Sequence, residues 1–551
     1  MRSVTSFFNA TVLRKDISRF SPIWASYGLL LALVVTTVLG AGNEVLRAFR
    51  INELLSFTSY VNGIYAGIVA MVLFGDLYDI RMCNALHAMP LRREGWFLTH
   101  CASALLFSVV PTALACLFLI PALGSFWYLA IVAFGVTTLQ YIFFFGLAAF
   151  SALCVGKRLA LIMVYSITNA ISMLFMWLCK VFYQPILYGI LLREGMFRYF
   201  CPFLEMGTDK YANLVYEAGS AQFMGLEMDS WGYLIVCTVL GLGFAALALV
   251  IYRRRSLESA QNFIAVRPLA PVFLALYTLT IMAVMYAVSS MFFRNQAVWF
   301  LIGGLLVGFL SGQMLLSKSV RVFRPRLILG FAAMMAVFAA VLGVLWLDPI
   351  GLINYVPNTN NIQTVEIATS NMIYYEQFQA DSDALVLTQP EDIQAIVDLH
   401  HRMIENQEEN AKMEDDFTVY LEYHLSDGTT VWRNYPISLA TEEGQQLKGY
   451  FSSWQCVLKT EDFDAFAASV TGIQTAGGLQ IPASQFSTVL QALKSDCDAG
   501  TMAQTWNLYD FAPAQERLTI TFTDGETEQT LSLRVYSFSE YTLEALAKIA
   551  G

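Results

Sequence analysis

Five histidines, His87, His100, His400, His401 and His424, are the side chains of this 551-residue chain best suited to proton transfer or metal ligation near neutral pH. None stands in a His-Glu-x-x-His frame. His400 and His401 are neighbours on an expected soluble helix, where successive side chains diverge by about 100°. That is poor geometry for one ion, so both read as surface residues. Gly156-Lys157 is followed by Arg158 and lacks the upstream glycine of a Gly-x-x-x-x-Gly-Lys-Ser/Thr loop. The backbone cradle for a nucleotide is therefore missing, and ATP hydrolysis is not expected of this chain. Of the 29 acidic residues after position 348, Glu408, Glu409, Glu414, Asp415 and Asp416 read as a solvated helix end and loop rather than a catalytic carboxylate pair. No catalytic, cofactor-binding or metal-binding set is expected.

The elements that carry these residues are mostly apolar. The composition is 56% hydrophobic and 14% charged, against about a quarter charged in soluble domains. Nine runs of hydrocarbon-spanning length lie at 23–41, 57–75, 100–120, 127–150, 160–180, 231–251, 271–292, 298–316 and 327–347. The expected fold is a polytopic α-helical membrane protein of about nine transmembrane helices with a C-terminal α+β extracellular domain. The first run is full length and lacks a small-residue cleavage site, so it reads as a retained signal anchor. Residues 1–348 hold 24 basic against 14 acidic residues, whereas 349–551 hold 9 against 29. Such an acidic block would be repelled by nucleic acid and by anionic headgroups.

Basic residues set the orientation. Arg2, Arg14, Lys15, Arg19, Arg81, Arg92, Arg93, Lys157, Arg158, Arg253, Arg254, Arg255, Arg267, Lys318, Arg321, Arg324 and Arg326 fall in one set of alternate gaps. The opposite gaps hold seven. The richer set is expected to be cytoplasmic, placing the N-terminus inside and the acidic block outside the cell membrane. Residues 1–22 read as an amphipathic interfacial helix, with Leu13, Ile17 and Phe20 toward lipid and Arg14, Lys15 and Arg19 toward headgroups. Pro90 interrupts the basic segment after the second run, giving a stiff cytoplasmic elbow. The stretches Val181–Leu192 and Phe197–Met206 are too short to cross and read as re-entrant helices. Gly304, Gly308 and Gly312 form a small-residue ridge for close helix packing, within the chain or between subunits.

Every Asp, Glu, Lys and Arg before residue 348 falls at or outside a run's end, which argues against proton-coupled transport and a polar ion channel. Six spans over 23–255, an interfacial helix, and an elbow reading Leu86-His87-Ala88-Met89-Pro90-Leu91-Arg92-Arg93-Glu94 resemble the membrane subunit of an ABC-2 type ABC transporter; Met89 before the proline departs mildly from the family's string. The resemblance implies that Leu86, Met89, Pro90, Arg92, Arg93, Glu94 and Trp96 couple to a separate cytoplasmic ABC ATPase subunit. It also implies a second permease copy or a sister permease. Tyr252-Arg253-Arg254-Arg255-Ser256-Leu257-Glu258-Ser259-Ala260, Val266-Arg267-Pro268 and Leu316-Ser317-Lys318-Ser319-Val320-Arg321-Val322-Phe323 are similar to strings in Ytr-type Gram-positive permeases. Those have extra spans, here three over 256–347, and an extracellular C-terminal domain.

Residues 348–551 read as two similar lobes, each a helix followed by a hairpin. The first has a helix from Thr388 and strands either side of Asp427-Gly428; the second has a helix at 484–493, strands either side of Asp524-Gly525 and a closing helix at 540–549. Cys456 and Cys497 leave a disulfide open. An acidic outer surface favours a cationic or cell-wall-derived ligand. The expectation is a permease subunit moving an amphiphile or antimicrobial. The alternative is a membrane-anchored extracellular sensor or assembly scaffold without transport, and an outer-domain enzyme ranks third.

Overall fold

The computed structural model describes residues 8–88, 92–183, 188–190, 200–208, 211, 213–216, 223–227, 231–292, 297–320, 325–349, 351–369, 385–407, 417–458, 460, 462–502, 515–524 and 527–550. Two compact units result. One comprises residues 1–179 and 196–337, the other 180–195 and 338–551.

The first unit opens with α1 (Ala10–Arg19), whose first turn is capped by the Asn9 side chain accepting from the Thr11 and Val12 amides. Proline in the first turn then starts α2 (Ser21–Leu39). There follow α3 (Glu44–Leu73), α4 (Ile80–Ala88), α5 (Arg93–Leu123), α6 (Tyr128–Cys154), α7 (Arg158–Tyr183) and the short α8 (Pro202–Thr208). An antiparallel pair, β1 (Asn213–Tyr216) with β2 (Phe223–Glu227), precedes α9 (Trp231–Arg254), α10 (Ala270–Phe292), α11 (Ala297–Ser317) and α12 (Pro325–Leu347).

All nine expected runs are helical. Among the described residues, seven helices combine the length and apolarity needed to cross a bilayer: α2, α3, α5, α6, α9, α10 and α11. Among the described residues of α7 and α12, the apolar stretches run Arg158–Ile171 and Ile328–Ala340. The second and third helices begin well before their apolar runs, at Glu44 and Arg93, because hydropathy marks the hydrocarbon part and not the polar turns that extend it.

Glycines let helix backbones in this unit approach closely. A Cβ on Gly146 of α6 would collide with the Gly241 carbonyl of α9. The Gly304, Gly308 and Gly312 ridge of α11 is used within the chain: added Cβ atoms there would lie 2.8 Å from Met282 Cα, 2.9 Å from Thr278 Cα and 2.7 Å from a Leu274 methyl, all on α10.

In the second unit, the first lobe is a four-stranded antiparallel sheet in the order β4 (Leu385–Leu387), β3 (Ile362–Thr369), β5 (Phe417–Leu425), β6 (Thr430–Ile437). Helix α13 (Pro390–Glu405) contributes Ile393, Ile396, Val397 and Met403 to a core with Val365, Ile367, Leu421 and Tyr423. After α14 (Glu442–Ser452), α15 (Trp454–Leu458) and α16 (Phe463–Ser469) comes a separate second core. It lies on β7 (Val470–Thr475), β8 (Glu516–Asp524) and β9 (Thr527–Val535), with α17 (Phe486–Asp498) and α18 (Glu540–Ala550). Both lobes run strand, helix, hairpin, and the leading strand pairs antiparallel with the first hairpin strand. Cys456 and Cys497 are buried and unbridged.

Candidate functional site

The helical unit holds a cavity of about 520 Å³ between α3 and α7, with Phe203 and Leu204 of α8 also in its wall. Its wall is apolar, with Ile64, Ile68, Met71, Leu161, Ile162 and Phe203. Gly63 and Gly67 open it on the α3 side, where added Cβ atoms would meet Phe203 and Tyr165 at 2.7 and 3.0 Å. Its few polar groups cluster at one place. Tyr165 donates its hydroxyl to the Gly63 carbonyl at 2.7 Å, Asn169 donates to the Tyr165 carbonyl at 2.9 Å, and Cys201 Sγ reaches the Asn169 carbonyl. Asn169 Oδ1 is buried without a hydrogen-bond partner among the described residues. An apolar wall with one convergent polar spot suits an amphiphile.

Behind α3 runs a buried amide network. Asn62 accepts from the Tyr27 hydroxyl at 3.0 Å and donates to the Thr137 carbonyl and to Gln140 Oε1. Gln140 also accepts from Thr58 at 3.0 Å and donates to the Tyr211 hydroxyl at 3.4 Å. Asn62, Gln140 and Tyr211 are fully buried. The network ties α2, α3 and α6 to the segment after α8. Reading only ionisable residues missed it; Asn62 and Gln140, the amides inside the second and fourth runs, were its visible signal.

At the basic end of the bundle, α1 does not present a purely apolar face to lipid. Asp16 lies within its half-buried face and is itself buried, because α1 docks on α5: Asp16 Oδ2 accepts from His100 Nδ1 at 2.6 Å and from the Ser103 hydroxyl at 2.7 Å. The Asn9 amide adds a bond to Thr99 Oγ1 at 3.1 Å. Arg14, Lys15 and Arg19 are exposed, and Arg19 reaches Asp76 at 3.4 Å.

Of the elbow residues, Met89 and Pro90 lie outside the described ones, Arg92 is exposed and Leu86 half-buried. Arg93 turns inward. Its Nη1 donates to the carbonyls of Tyr252, Arg253 and Arg255 at 3.3, 3.2 and 3.0 Å, adding a donor partner for carbonyls at the C-terminal end of α9. Glu94 pairs with Arg253 at 3.0 Å, and Trp96 is buried against Tyr252 and His100. Arg93, Glu94 and Trp96 thus hold the third and sixth spans together. The exposed face of this region belongs instead to α4, with Ile80, Arg81, Met82, Asn84 and Ala85 outward and Cys83 buried.

In the second unit, β6 gathers two chain segments. Tyr188–Ile190 adds to its edge, with an Ile190–Arg433 antiparallel bridge and the Asn434 amide donating to the Gly189 carbonyl at 3.1 Å. Gly189, at φ +76°, lies so close to the Tyr435 ring that a side chain would collide. This replaces the re-entrant helix expected at Val181–Leu192, as far as the described residues go. From the other side, Arg433 Nη2 donates to the Leu352 and Tyr355 carbonyls at 3.2 and 2.9 Å.

His400 is a core residue, not the surface one expected. It is fully buried, with Nε2 2.6 Å from the Tyr435 hydroxyl and Nδ1 2.9 Å from that of Tyr423. The spacing from Ile393, Ile396 and Val397 places it on the inward face of α13, a signal legible beforehand. His401 is exposed. No protein-family model matches this chain, and neither a curated protein nor a solved structure matches it.

Proposed function

We propose that this chain is the membrane-spanning permease subunit of an ATP-driven ABC transporter, with nine spans, its N-terminus cytoplasmic and its C-terminal unit extracellular. The observation that carries the reading is the apolar cavity between α3 and α7, with its single polar spot, which fits an amphiphilic substrate better than a solvated ion. The given sequence has no nucleotide loop, which supports an ATPase supplied by a partner chain. The exposed face of α4, rather than the inward-turned Arg93 and Glu94, offers that partner a docking surface together with Arg92. The acidic outer unit supports a cationic or cell-wall-derived ligand there.

A second reading, a membrane-anchored sensor without transport, is favoured by one observation: β6 holds both the strap after α7 and the linker after α12. One experiment separates the two. The tagged chain is purified from its native membrane, reconstituted in nanodiscs and assayed for ATP hydrolysis with a fluorescent lysophosphatidylcholine. A transporter co-purifies with an ATPase whose turnover the lysolipid stimulates. Ile68→Trp, which fills the cavity, abolishes the stimulation but keeps the complex, whereas Met82→Glu loses the ATPase. A preparation free of ATP hydrolysis, or stimulation unchanged by Ile68→Trp, would overturn the transport reading.

A further inference from the structure

Glu366, Glu422 and His424 share one face of the first lobe's sheet. Glu366 on β3 is the direct cross-strand partner of Glu422 on β5, and His424 lies two residues further along β5, so strand alternation returns it to the same side. His424 Nε2 is 3.3 Å from Glu366 Oε1 and 3.5 Å from Glu422 Oε1. The three ligand atoms all lie within 4.8 Å of one another. The side chains of Glu366 and Glu422 are only 13% and 7% exposed, that of His424 36%.

Two carboxylates directly opposite each other on neighbouring strands repel, and taking them out of water strengthens the repulsion. His424 Nε2 is a buried atom that makes no hydrogen bond among the described residues, although it points between the two carboxylates. A protonated imidazole would offset one of the two negative charges. A divalent cation offsets both and uses the imidazole lone pair as well. With metal–ligand bonds of about 2.1 Å, ligand separations of 3.3 and 3.5 Å subtend roughly 104° and 113°, close to the angles of a four-coordinate N/O site.

We propose that Glu366, Glu422 and His424 form a binding site for a divalent transition cation of the Zn²⁺ type, held by two carboxylate oxygens and one imidazole nitrogen. Three protein ligands leave a coordination position for water or for a donor group of an external ligand, beside the half-exposed His424. The nitrogen donor and the small ligand count separate it from Ca²⁺ and Mg²⁺ sites, which are built from six or more oxygens. This assignment does not depend on the transport reading.

The test uses the full chain, purified in detergent, stripped with EDTA and titrated with Co²⁺. One equivalent is expected to bind with visible d–d bands of an N/O ligand set; Zn²⁺ should displace it, and a roughly hundredfold excess of Ca²⁺ should not. Glu366→Gln, at the rim of the pair, should weaken Co²⁺ binding about 100-fold or more, and His424→Gln should change the spectrum of any residual metal. Zn²⁺ should raise the melting temperature of the wild type and not that of Glu366→Gln. If a variant fails to fold, the wild-type spectrum and its Zn²⁺-dependent melting shift decide. Absence of both, binding undiminished in a folded Glu366→Gln, or displacement by Ca²⁺ overturns the assignment.

Discussion

Acidification should loosen the first lobe of the second unit through His400. Its imidazole is buried between the Tyr423 and Tyr435 hydroxyls, and burial, with the Arg433 and His401 charges, holds its pKa down to about 3 from an ordinary 6.5. The folded lobe therefore keeps His400 neutral, whereas the unfolded chain takes up a proton below pH 6.5. The stabilisation is complete above pH 6.5 and drains away as pH falls toward 3. The slope is about 1.4 kcal/mol per pH unit inside that window, so about 2 kcal/mol is lost between pH 7 and pH 5. The perturbation is His400→Gln, which should cost about 1–3 kcal/mol at pH 7 through its tyrosine hydrogen bonds. Its stability should then fall about 2 kcal/mol less than the wild type's over the same two pH units. Carboxylates that titrate in both proteins cancel in the difference. Hydrogen–deuterium exchange on the full chain, followed in peptides spanning 390–405 and 417–437 and corrected for the intrinsic pH dependence of exchange, reads the opening free energy directly. Parallel profiles for the two proteins would refute the reasoning, because the folded lobe would then be accepting the proton.

Three further outcomes follow from contacts in the helical unit. Arg93→Met strips the donor from three carbonyls at the end of α9 and should cost about 1.5–3 kcal/mol, read as a lower melting temperature in detergent. Gly308→Leu forces α11 off Thr278 and should cost about 1–3 kcal/mol, whereas Gly303→Leu, with nothing within 4 Å of its added Cβ, should melt like the wild type. Asp16→Ala leaves His100 Nδ1 and the Ser103 hydroxyl without their shared acceptor. It should cost about 3–5 kcal/mol and release α1, seen as faster labelling of a thiol placed at Leu13. Equal labelling with and without Asp16 would show that other contacts hold α1.

Hydrocarbon length and helix periodicity are strong, local signals that made the apolar runs and α13 legible, and strand patterns around Asp-Gly made both hairpins so. The polar contacts were not, because they join residues far apart in sequence. Asp16 reads as one more charge on a basic interfacial helix until α5 brings His100 and Ser103 to it, 84 and 87 residues away. Arg93 reads as part of a basic elbow for the same reason; its partners at the end of α9 lie about 160 residues on. The Glu422-x-His424 spacing on one strand face was visible, yet Glu366 was not, since β3 was not foreseen and its register with β5 is a tertiary fact. His400 is the contrary case: the inward stripe of α13 already included it, and weighing composition over periodicity led to the wrong face.

Asp16, His100 and Ser103 have the residue types of a hydrolase triad but the wiring of a fastener. Activation of a serine requires its hydroxyl to face a free imidazole nitrogen. Here the Ser103 hydroxyl faces the Asp16 carboxylate and the Thr99 carbonyl, and His100 stacks edge-on against Trp96 at a ring separation of 4.2 Å. The same part of the molecule carries further joints: Arg93 and Glu94 fix α5 to α9, and Arg255 donates to the Leu153 carbonyl of α6 and the Leu77 carbonyl beside α4. Helices α1, α5, α6 and α9 are therefore pinned to one another at this end by charge-assisted bonds, which are stronger than neutral ones. A force on the exposed face of α4 would meet a braced end, and a push there would be passed on as tilt of whole helices. Had these charges faced solvent, as the basic gaps alone suggest, the same push would be absorbed by bending a loop.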